Sequence, residues 1–345
     1  MPEQYTEISV LDPIGPAFKR VKLILFSPFD LGRWFTIGFC AWLACLGQGG
    51  GPNFNFGHRF DGSAGRDIGA FISANLHWII PVAIVALLLM IALGLVICWL
   101  SSRGRFMFLH CVAQNKAEVK LPWHKFKFEG NSLFLFRLVV GIISFLFFLV
   151  LGGLIAFLVI FLVRSGERPP VLGIVGIVAL ALVIILPVAI AFAVLVKFTQ
   201  DFVVPIMFLR NCTCTEGWRL FWPTLTTNKA RFTLYILFQI VIGMATGAIV
   251  FGAVIATCCC AGLILAIPYL GTVLLLPVLV FQRAYSLCYL RQYGPDFDCF
   301  SGEIVTPEPQ PEPDATPDIQ PELQSETEPE PYRPQNGWFS DQDEQ

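Results

Sequence analysis

The chain has 345 residues, of which 55% are hydrophobic and only 14% are charged, and its net charge is −2. Soluble domains usually carry about 25% charged residues, so this composition excludes an ordinary water-soluble protein. Several apolar stretches reach the roughly 20 residues that a helix needs to cross a bilayer core. The sequence therefore predicts an all-α integral membrane protein, because a spanning helix satisfies its own backbone hydrogen bonds in lipid.

Six apolar segments predict six transmembrane helices in chain order. They cover residues 34–47, 77–100, 133–163, 173–196, 232–256 and 263–281. The first is short, since about 14 residues of helix extend only ~21 Å. Just before it, residues 12–31 mix apolar side chains with Lys19, Arg20 and Lys22. This mixture is typical of a basic amphipathic helix at a membrane surface.

Basic residues predict the orientation of these spans. With six spans, most Lys and Arg residues fall on the side that contains the N-terminal segment and the two long connectors, 101–132 and 197–231. The other side collects only Arg59, Arg66, Arg164 and Arg168. Because basic loops stay in the cytoplasm, we expect a multi-pass protein of the cell membrane with both termini inside.

Similar segments precede the odd-numbered spans and indicate an internal repeat. They are Phe18-Lys19-Arg20, Trp123-His124-Lys125 and Trp218-Arg219-Leu220. We interpret them as a threefold repeat of a surface helix followed by a transmembrane hairpin, although any basic inner loop flanked by aromatic residues would look alike. The predicted contacts with anionic lipid of the inner leaflet are Lys19, Arg20, Lys22, Lys125, Lys127 and Arg219.

The two ends of the apolar region carry a resemblance to a known family. Residues 12–44 read DPIGPAFKRVKLILFSPFDLGRWFTIGFCAWLA, and residues 283–297 read RAYSLCYLRQYGPDF. Over residues 8–298 the chain resembles an uncharacterised family of bacterial six-pass membrane proteins. That family is similar to the membrane domain attached to some glycerophosphodiester phosphodiesterases. The resemblance implies no phosphodiesterase activity here, because only an acidic tail follows the last predicted span.

The charge distribution divides the chain into two regions. Residues 296–345 contain 14 acidic residues and one basic residue, whereas residues 1–295 contain 22 basic and 11 acidic residues. We expect a transmembrane domain over residues 1–301 and a disordered, Pro/Glu-rich cytoplasmic tail over residues 302–345. The tail could dock a basic protein partner through Trp338 and Phe339, or these could be an exposed aromatic pair without a partner.

The chain contains no common catalytic, nucleotide-binding or zinc-protease motif. Cys212 and Cys214 form a C-x-C pair, but no neighbouring ligands complete a zinc site. Most other cysteines are expected to pack as small apolar residues. For the run from Cys258 to Cys260, a disulfide or a covalent lipid anchor is an alternative to packing. We therefore expect no catalytic residue, no cofactor, no metal and no nucleic-acid partner.

Few polar residues fall within the predicted spans. Gln239 is expected to form a hydrogen bond between helices, with a substrate contact as the alternative, and Lys197 and Asp201 have the i,i+4 spacing of an ion pair. The sequence thus favours a non-enzymatic protein that organises, regulates or binds lipid or a partner at the membrane. The alternative is a transporter or lipid-handling protein with a cavity between the helical repeats.

Overall fold

The computed structural model describes residues 8–47, 76–165, 171–257, 262, 265 and 267–300, and its regular elements there are all helical. They are α1 (Ile14–Phe26), α2 (Leu31–Cys45), α3 (Leu76–Gln114), α4 (Lys120–Lys125), α5 (Lys127–Ser165), α6 (Val171–Phe198), α7 (Val204–Arg210), α8 (Cys214–Thr227), α9 (Lys229–Ala256), α10 (Pro268–Leu274) and α11 (Leu276–Arg291). A π-helical turn, Thr199–Val203, joins α6 to α7, and a 3₁₀ turn, Pro295–Phe297, follows α11. The run Cys258 to Cys260 and the acidic tail lie outside the described residues.

Within the described residues, four helical segments are long and apolar enough to cross a membrane. They are His77–Gln114, Lys127–Arg164, Val175–Arg210 and Lys229–Ala256, and they cover nearly all of the second to fifth predicted spans. Their most apolar stretches are almost entirely exposed on the protein's own surface. Soluble proteins rarely expose a contiguous apolar surface of this extent to water. The helical architecture and the membrane character of the chain are therefore confirmed.

The first and sixth predicted spans have a different form. α2 is an apolar helix of only 15 residues. The segment predicted as the sixth span is divided between α10 and α11, which meet at Leu275, and part of it lies outside the described residues. Six spans therefore remain a prediction. So does the threefold repeat, because the three surface segments form helices of 13, 6 and 14 residues that are unequal in length.

The packed core lies at one end of the helices. Buried side chains come from α1, α2, the C-terminal part of α3, the π-helical turn, α7, α8 and α11. In contrast, the N-terminal half of α3 and most of α5 and α6 expose their apolar side chains. The two ends of the bundle therefore differ: one is closely packed by protein, and the other presents its surface to the surrounding medium.

α3 is longer than the second predicted span, which ends at Leu100. The helix continues to Gln114, and its added turns are buried, with Phe106, Leu109 and Val112 fully enclosed. Gly104 allows α2 to approach closely, since a Cβ atom there would lie 2.6 Å from the backbone carbon of Leu43. Residues 101–114 thus belong to the core rather than to a polar connector.

An aromatic cluster joins the π-helical turn to three other helices. The ring of Phe202 lies 5.2 Å from that of Phe221 on α8 and 5.2 Å from that of Phe232 on α9. Its ring centroid is also 4.9 Å from Tyr235 and 6.1 Å from Tyr289 on α11. Such contacts bury large apolar surfaces and prefer tilted or edge-on geometry, as most of these do. They fix the position of the turn that carries Asp201.

Candidate functional site

The predicted lipid contacts lie mostly on the surface. Five of them are exposed: Lys19, Lys22, Lys125, Lys127 and Arg219. Each of the three short helices also exposes a large apolar side chain close to these cations, namely Phe18 on α1, Leu121 on α4 and Trp222 on α8. Apolar side chains that neighbour cations are the pattern of a helix at an anionic membrane surface.

Arg20 differs from the other predicted lipid contacts because its guanidinium group turns toward α3. Its Nε donates to the carbonyl oxygen of Val112 at 3.2 Å, and its Nη2 donates to that of Ala113 at 2.6 Å. The same guanidinium lies 4.5 Å from the ring centroid of Phe300. Because the last carbonyls of a helix lack partners within that helix, Arg20 caps the end of α3. A lipid contact by Arg20 would compete with these bonds.

Three adjoining cavities meet around Arg105 on α3. Four cationic side chains line them, and we call the ensemble the arginine cavity: Arg105, Arg137, Lys197 and Arg283. One part, the α5–α6 lobe, has a volume of about 250 Å³ and contains Arg105 and Arg137. A second part, the Asp201 lobe, has a volume of about 140 Å³ and contains Arg105, Lys197, Asp201 and Arg283. A connecting part of about 490 Å³ is lined by Arg105, Arg137 and Lys197.

Arg105 is the least compensated charge in this cavity. Only 6% of the residue is exposed, and neither its Nε nor its Nη2 has a hydrogen-bond partner in the described structure. A buried charge without partners is costly, by several kcal/mol even after relaxation. Among the described lining residues, Asp201 is the single carboxylate facing four cations. The cavity is therefore electrostatically suited to an anion.

Arg137 on α5 is oriented by the serines of α3. Its Nη1 donates to Ser102 Oγ at 3.1 Å and approaches Ser101 Oγ at 3.3 Å. The same nitrogen lies 3.5 Å from the carbonyl oxygen of Cys98, a long contact at the limit of hydrogen bonding. These bonds involve one nitrogen of a group with five N–H donors. The remaining edge of the guanidinium can therefore serve a ligand in the α5–α6 lobe.

Asp201 is the internal counter-ion of the cavity. Lys197 Nζ lies 2.9 Å from its Oδ2, which confirms the predicted i,i+4 ion pair. Tyr235 on α9 donates its hydroxyl to the same oxygen at 2.9 Å, and Gln239 donates to the Tyr235 hydroxyl at 2.8 Å. The predicted hydrogen bond of Gln239 thus stays within its own helix. Tyr235 makes the bond between helices, and it is a residue that the sequence analysis did not single out.

The π-helical turn presents two groups to the cavity. Besides the Asp201 carboxylate, it offers the carbonyl oxygen of Gln200, which accepts from Arg283 Nη1 at 2.6 Å. Trp218 on α8 donates its indole N–H to Thr199 Oγ1 at 3.2 Å and so ties the turn to α8. A π-helical turn within an α-helix often marks a functional position. Here it places an acid and a carbonyl beside the arginines.

The cysteines of the described residues are buried or half-buried free thiols. Burial raises the pKa of the Cys214 thiol to about 12 and also raises that of Cys212, so both are protonated at neutral pH. Metal ions bind the thiolate. Within the described residues, no three His, Cys, Asp or Glu side chains come together in a way that could hold a metal ion.

The sequence analysis missed the arginine cavity. In the sequence, Arg105 falls in the predicted connector 101–132, and Arg137 lies near the start of the third predicted span, 133–163. The available signal was that Arg105, Arg137, Lys197 and Arg283 all lie within a few residues of predicted span ends on the same side. Whether such residues reach into the core or out to the solvent depends on helix packing, which spacing alone does not give.

Together, the apolar helices and the four cations between them define an α-helical membrane protein with a cation-lined cavity. The chain belongs to a family of unknown function, DUF7544, whose family model matches residues 8–290. That range includes every cationic residue of the arginine cavity and excludes the acidic tail. No curated protein and no solved structure matches the chain.

Proposed function

We propose that this protein is a non-enzymatic protein of the cell membrane that binds anionic lipid of the inner leaflet in the arginine cavity. The observation that carries the proposal is the buried guanidinium of Arg105, which has no hydrogen-bond partner at two of its nitrogens among the described residues. Ionisable groups among membrane-spanning helices are costly and usually serve a function. An anion in the cavity would supply the missing partner and reduce the repulsion among the four cations.

The position of the cavity along the chain favours a lipid over a soluble anion. Arg105 comes five residues after the predicted end of the second span, Lys197 directly follows the fourth, and Arg283 comes two residues after the sixth. With both termini in the cytoplasm, these positions correspond to the inner boundary of the apolar core, where lipid headgroups lie. A lipid can therefore reach the cavity without leaving the bilayer.

The exposed cations of the short helices support the same function from the surface. Lys19, Lys22, Lys125, Lys127 and Arg219 would attract anionic lipid to the inner face, each contributing on the order of 1 kcal/mol near the membrane surface. This attraction raises the local concentration of the ligand around the protein. The cavity then provides the specific binding site for the lipid. The surface cations provide only a general attraction for anionic lipid, which salt screens.

A thermal unfolding experiment tests the proposal directly. The full chain, stripped of lipid and held in neutral detergent micelles, is mixed with phosphatidylglycerol or with phosphatidylcholine of the same acyl chains. We expect only the anionic lipid to raise the unfolding midpoint, since a ligand present at about 100 times its Kd stabilises the folded state by about 2.7 kcal/mol. Equal effects of the two lipids would refute anionic lipid binding.

Two variants assign the effect to the cavity. Arg105→Met should lose most of the stabilisation by phosphatidylglycerol but unfold no earlier than the wild type without lipid, because removing an uncompensated buried charge is often neutral or stabilising. Arg210→Met is the matched control: Arg210 is exposed outside the cavity and forms a surface ion pair with Asp296 at 3.3 Å, which contributes little. Its response to lipid should equal that of the wild type.

A second candidate function is transport or handling of lipid through the cavity. The observation that favours it is the connecting part, which shares Arg105 and Arg137 with the α5–α6 lobe and Lys197 with the Asp201 lobe. A ligand could pass between the lobes without losing contact with a cation. Lipid movement between the leaflets of reconstituted vesicles separates the two functions, because binding alone moves no lipid.

Two further parts of the proposal concern the ends of the chain. The acidic tail, residues 302–345, could recruit a basic protein partner on the cytoplasmic side, which its charge favours. The resemblance over residues 8–298 to membrane domains attached to some glycerophosphodiester phosphodiesterases remains a prediction from the sequence, and it would suit a role beside phospholipids. That resemblance is to the membrane domain and not to the phosphodiesterase domain, so the role proposed here is binding.

A further inference from the structure

The α5–α6 lobe differs in charge from the rest of the arginine cavity. It contains the guanidinium groups of Arg105 and Arg137, and none of its described lining residues is a carboxylate. Asp201 lies instead in the neighbouring lobe, where it pairs with Lys197 at 2.9 Å. A ligand in the α5–α6 lobe would therefore meet two cations and, among the described lining residues, no carboxylate.

The two guanidinium groups are placed by different helices. Arg137 is fixed on α5 by its bonds to Ser101 and Ser102, and Arg105 is fixed by its burial on α3. Ser144 adds a hydroxyl group to the wall of the lobe, whereas the hydroxyl of Thr199, which also lines it, donates to the carbonyl oxygen of Leu195 at 2.7 Å. Guanidinium forks match the oxygens of phosphate and can bind them in pairs. The lobe thus offers donors from several directions rather than from one edge.

We infer that the α5–α6 lobe binds the phosphate of a lipid phosphomonoester, an inference that rests on the proposed lipid-binding function and specifies its ligand. A phosphomonoester carries a charge of about −1.5 to −2 at pH 7 and three strong acceptor oxygens. Two arginines from two helices balance that charge. A phosphodiester or a carboxylate carries a single charge, which leaves one of the two guanidinium groups uncompensated.

The apolar side of the lobe fits the lipid part of this ligand. Phe136 and Val140 on α5 face Phe192 and Val196 on α6 across the cavity. A whole drug-sized ligand needs about 300 Å³ or more, so a lobe of about 250 Å³ accommodates a compact headgroup and not the acyl chains. The chains would continue along the exposed apolar surface of α5 and α6, where Phe145 and Leu149 lie uncovered.

The test compares four ligands on the delipidated full chain in neutral micelles: phosphatidic acid, phosphatidylglycerol, oleic acid and inorganic phosphate. We expect phosphatidic acid to bind at least about tenfold more tightly than phosphatidylglycerol, the difference expected of one additional charge-assisted hydrogen bond. Oleic acid and inorganic phosphate should bind more weakly still, since each offers only part of the ligand. Affinity is measured from the ligand dependence of the unfolding midpoint and by native mass spectrometry.

Arg105→Met and Arg137→Met should each abolish the preference for phosphatidic acid, whereas Arg210→Met should retain it. Arg105→Lys, which keeps the charge but not the fork, should still bind anionic lipid while losing most of the preference. Equal binding of phosphatidic acid and phosphatidylglycerol that still depends on Arg105 would overturn this inference and leave the proposed function intact. Absence of any Arg105-dependent lipid binding would overturn both. Binding of inorganic phosphate as tight as that of phosphatidic acid would overturn the lipid part of the inference.

Discussion

Gly104 shows how one residue sets the packing from which the cavity is built. It lies on α3 one position before Arg105, where a Cβ atom would come within 2.6 Å of both the backbone carbon and the Cβ of Leu43. No rotamer change can relieve a contact with backbone atoms, so α2 would have to move away. Because Gly104 has no side chain, α2 can pack closely against α3 and form part of the cavity wall.

We predict that Gly104→Ala destabilises the protein by about 1–3 kcal/mol, the cost typical of overpacking a closely packed core. The reason is that the gain in helix propensity of up to about 1 kcal/mol is outweighed by the displacement of α2. The unfolding midpoint of the purified variant measures the effect. Gly94→Ala on the same helix is the control, because apart from the local helix backbone no described atom lies within 4 Å of an added Cβ there. A loss of stability at both glycines would contradict the packing argument.

At the same scale, the sequence predicts some parts of the site and not others. The i,i+4 spacing of Lys197 and Asp201 predicts an ion pair, because such residues are neighbours on any helix. The burial of Arg105 is not predictable in this way, since a cation after an apolar stretch has the same local pattern in a loop and in a core. Its environment depends on α2, α6 and α11, which are distant in sequence and meet it only in the folded protein.

The short helix α8 illustrates how an element begins. Thr213 and Glu216 form a capping box at its N-terminus: the Thr213 backbone N–H donates to Glu216 Oε2 at 2.8 Å, and the Glu216 N–H donates to Thr213 Oγ1 at 3.3 Å. These bonds satisfy two of the backbone groups that a helix start leaves without partners. Two hydrogen bonds lower the pKa of the exposed Glu216 carboxyl: the stronger effect comes from the Thr213 backbone N–H, and the weaker one from the Thr213 hydroxyl.

We predict that the first turn of α8 loosens in acid. Because the folded pKa of Glu216 is lower than the unfolded value of about 4.3, the box contributes fully above that value and is lost as the pH falls through the folded pKa. Protection of the backbone amides of this turn against hydrogen exchange should therefore be constant near neutral pH and decline only below about pH 4.3. Glu216→Gln should remove this decline.

Thr213→Ala should lower the stability of α8 at every pH by about 0.5–2 kcal/mol, the usual cost of losing a threonine cap. Thr226→Ala at the other end of the helix is the control. The hydroxyl of Thr226 donates only to carbonyls of its own helix, at 3.0 Å to Trp222. If the two variants lost equal protection in the first turn, the capping box would not be the feature that starts α8.

The elements themselves were predicted to different degrees. The second to fifth spans follow from hydrophobic length alone, because no other element satisfies the backbone in lipid. The extension of α3 through Phe106 and Val112 does not follow, because the same segment carries Arg103, Arg105 and His110, and such a mixture also suits a surface connector. The length of α4, only 6 residues, is equally unpredictable, because it is determined by packing between α3 and α5.

At the scale of the whole molecule, the packed end and the exposed end of the helices have different roles. The packed end encloses the arginine cavity, and the aromatic cluster around Phe202 holds the π-helical turn that carries Asp201. The exposed end of α3, α5 and α6 presents apolar side chains that suit lipid. A cavity at the boundary between these two environments is accessible to a molecule that is itself half polar and half apolar.

The argument for a lipid ligand depends on the topology, which single-cysteine labelling can test. We predict that, in a cysteine-free background in intact cells, a membrane-impermeant maleimide reaches cysteines on the outer side only. The outer positions are Ser63→Cys, Arg164→Cys and Thr257→Cys, and the inner positions are Lys116→Cys, Thr226→Cys and Asp296→Cys. The inner positions should react only after permeabilisation, which also serves as the control that each cysteine is reactive.

Each outcome has a separate meaning for the arginine cavity. Reaction of Arg164→Cys but not of Lys116→Cys from outside places the Arg105 end of α3 at the inner face, as lipid binding from the inner leaflet requires. The opposite pattern would move the cavity to the outer leaflet and contradict the proposed source of the lipid. If Ser63→Cys and Lys116→Cys both reacted only after permeabilisation, α3 would not cross the bilayer and the predicted order of the spans would be wrong. If Asp296→Cys reacted from outside, α10 and α11 together would not cross the bilayer, and the count of six spans would be wrong.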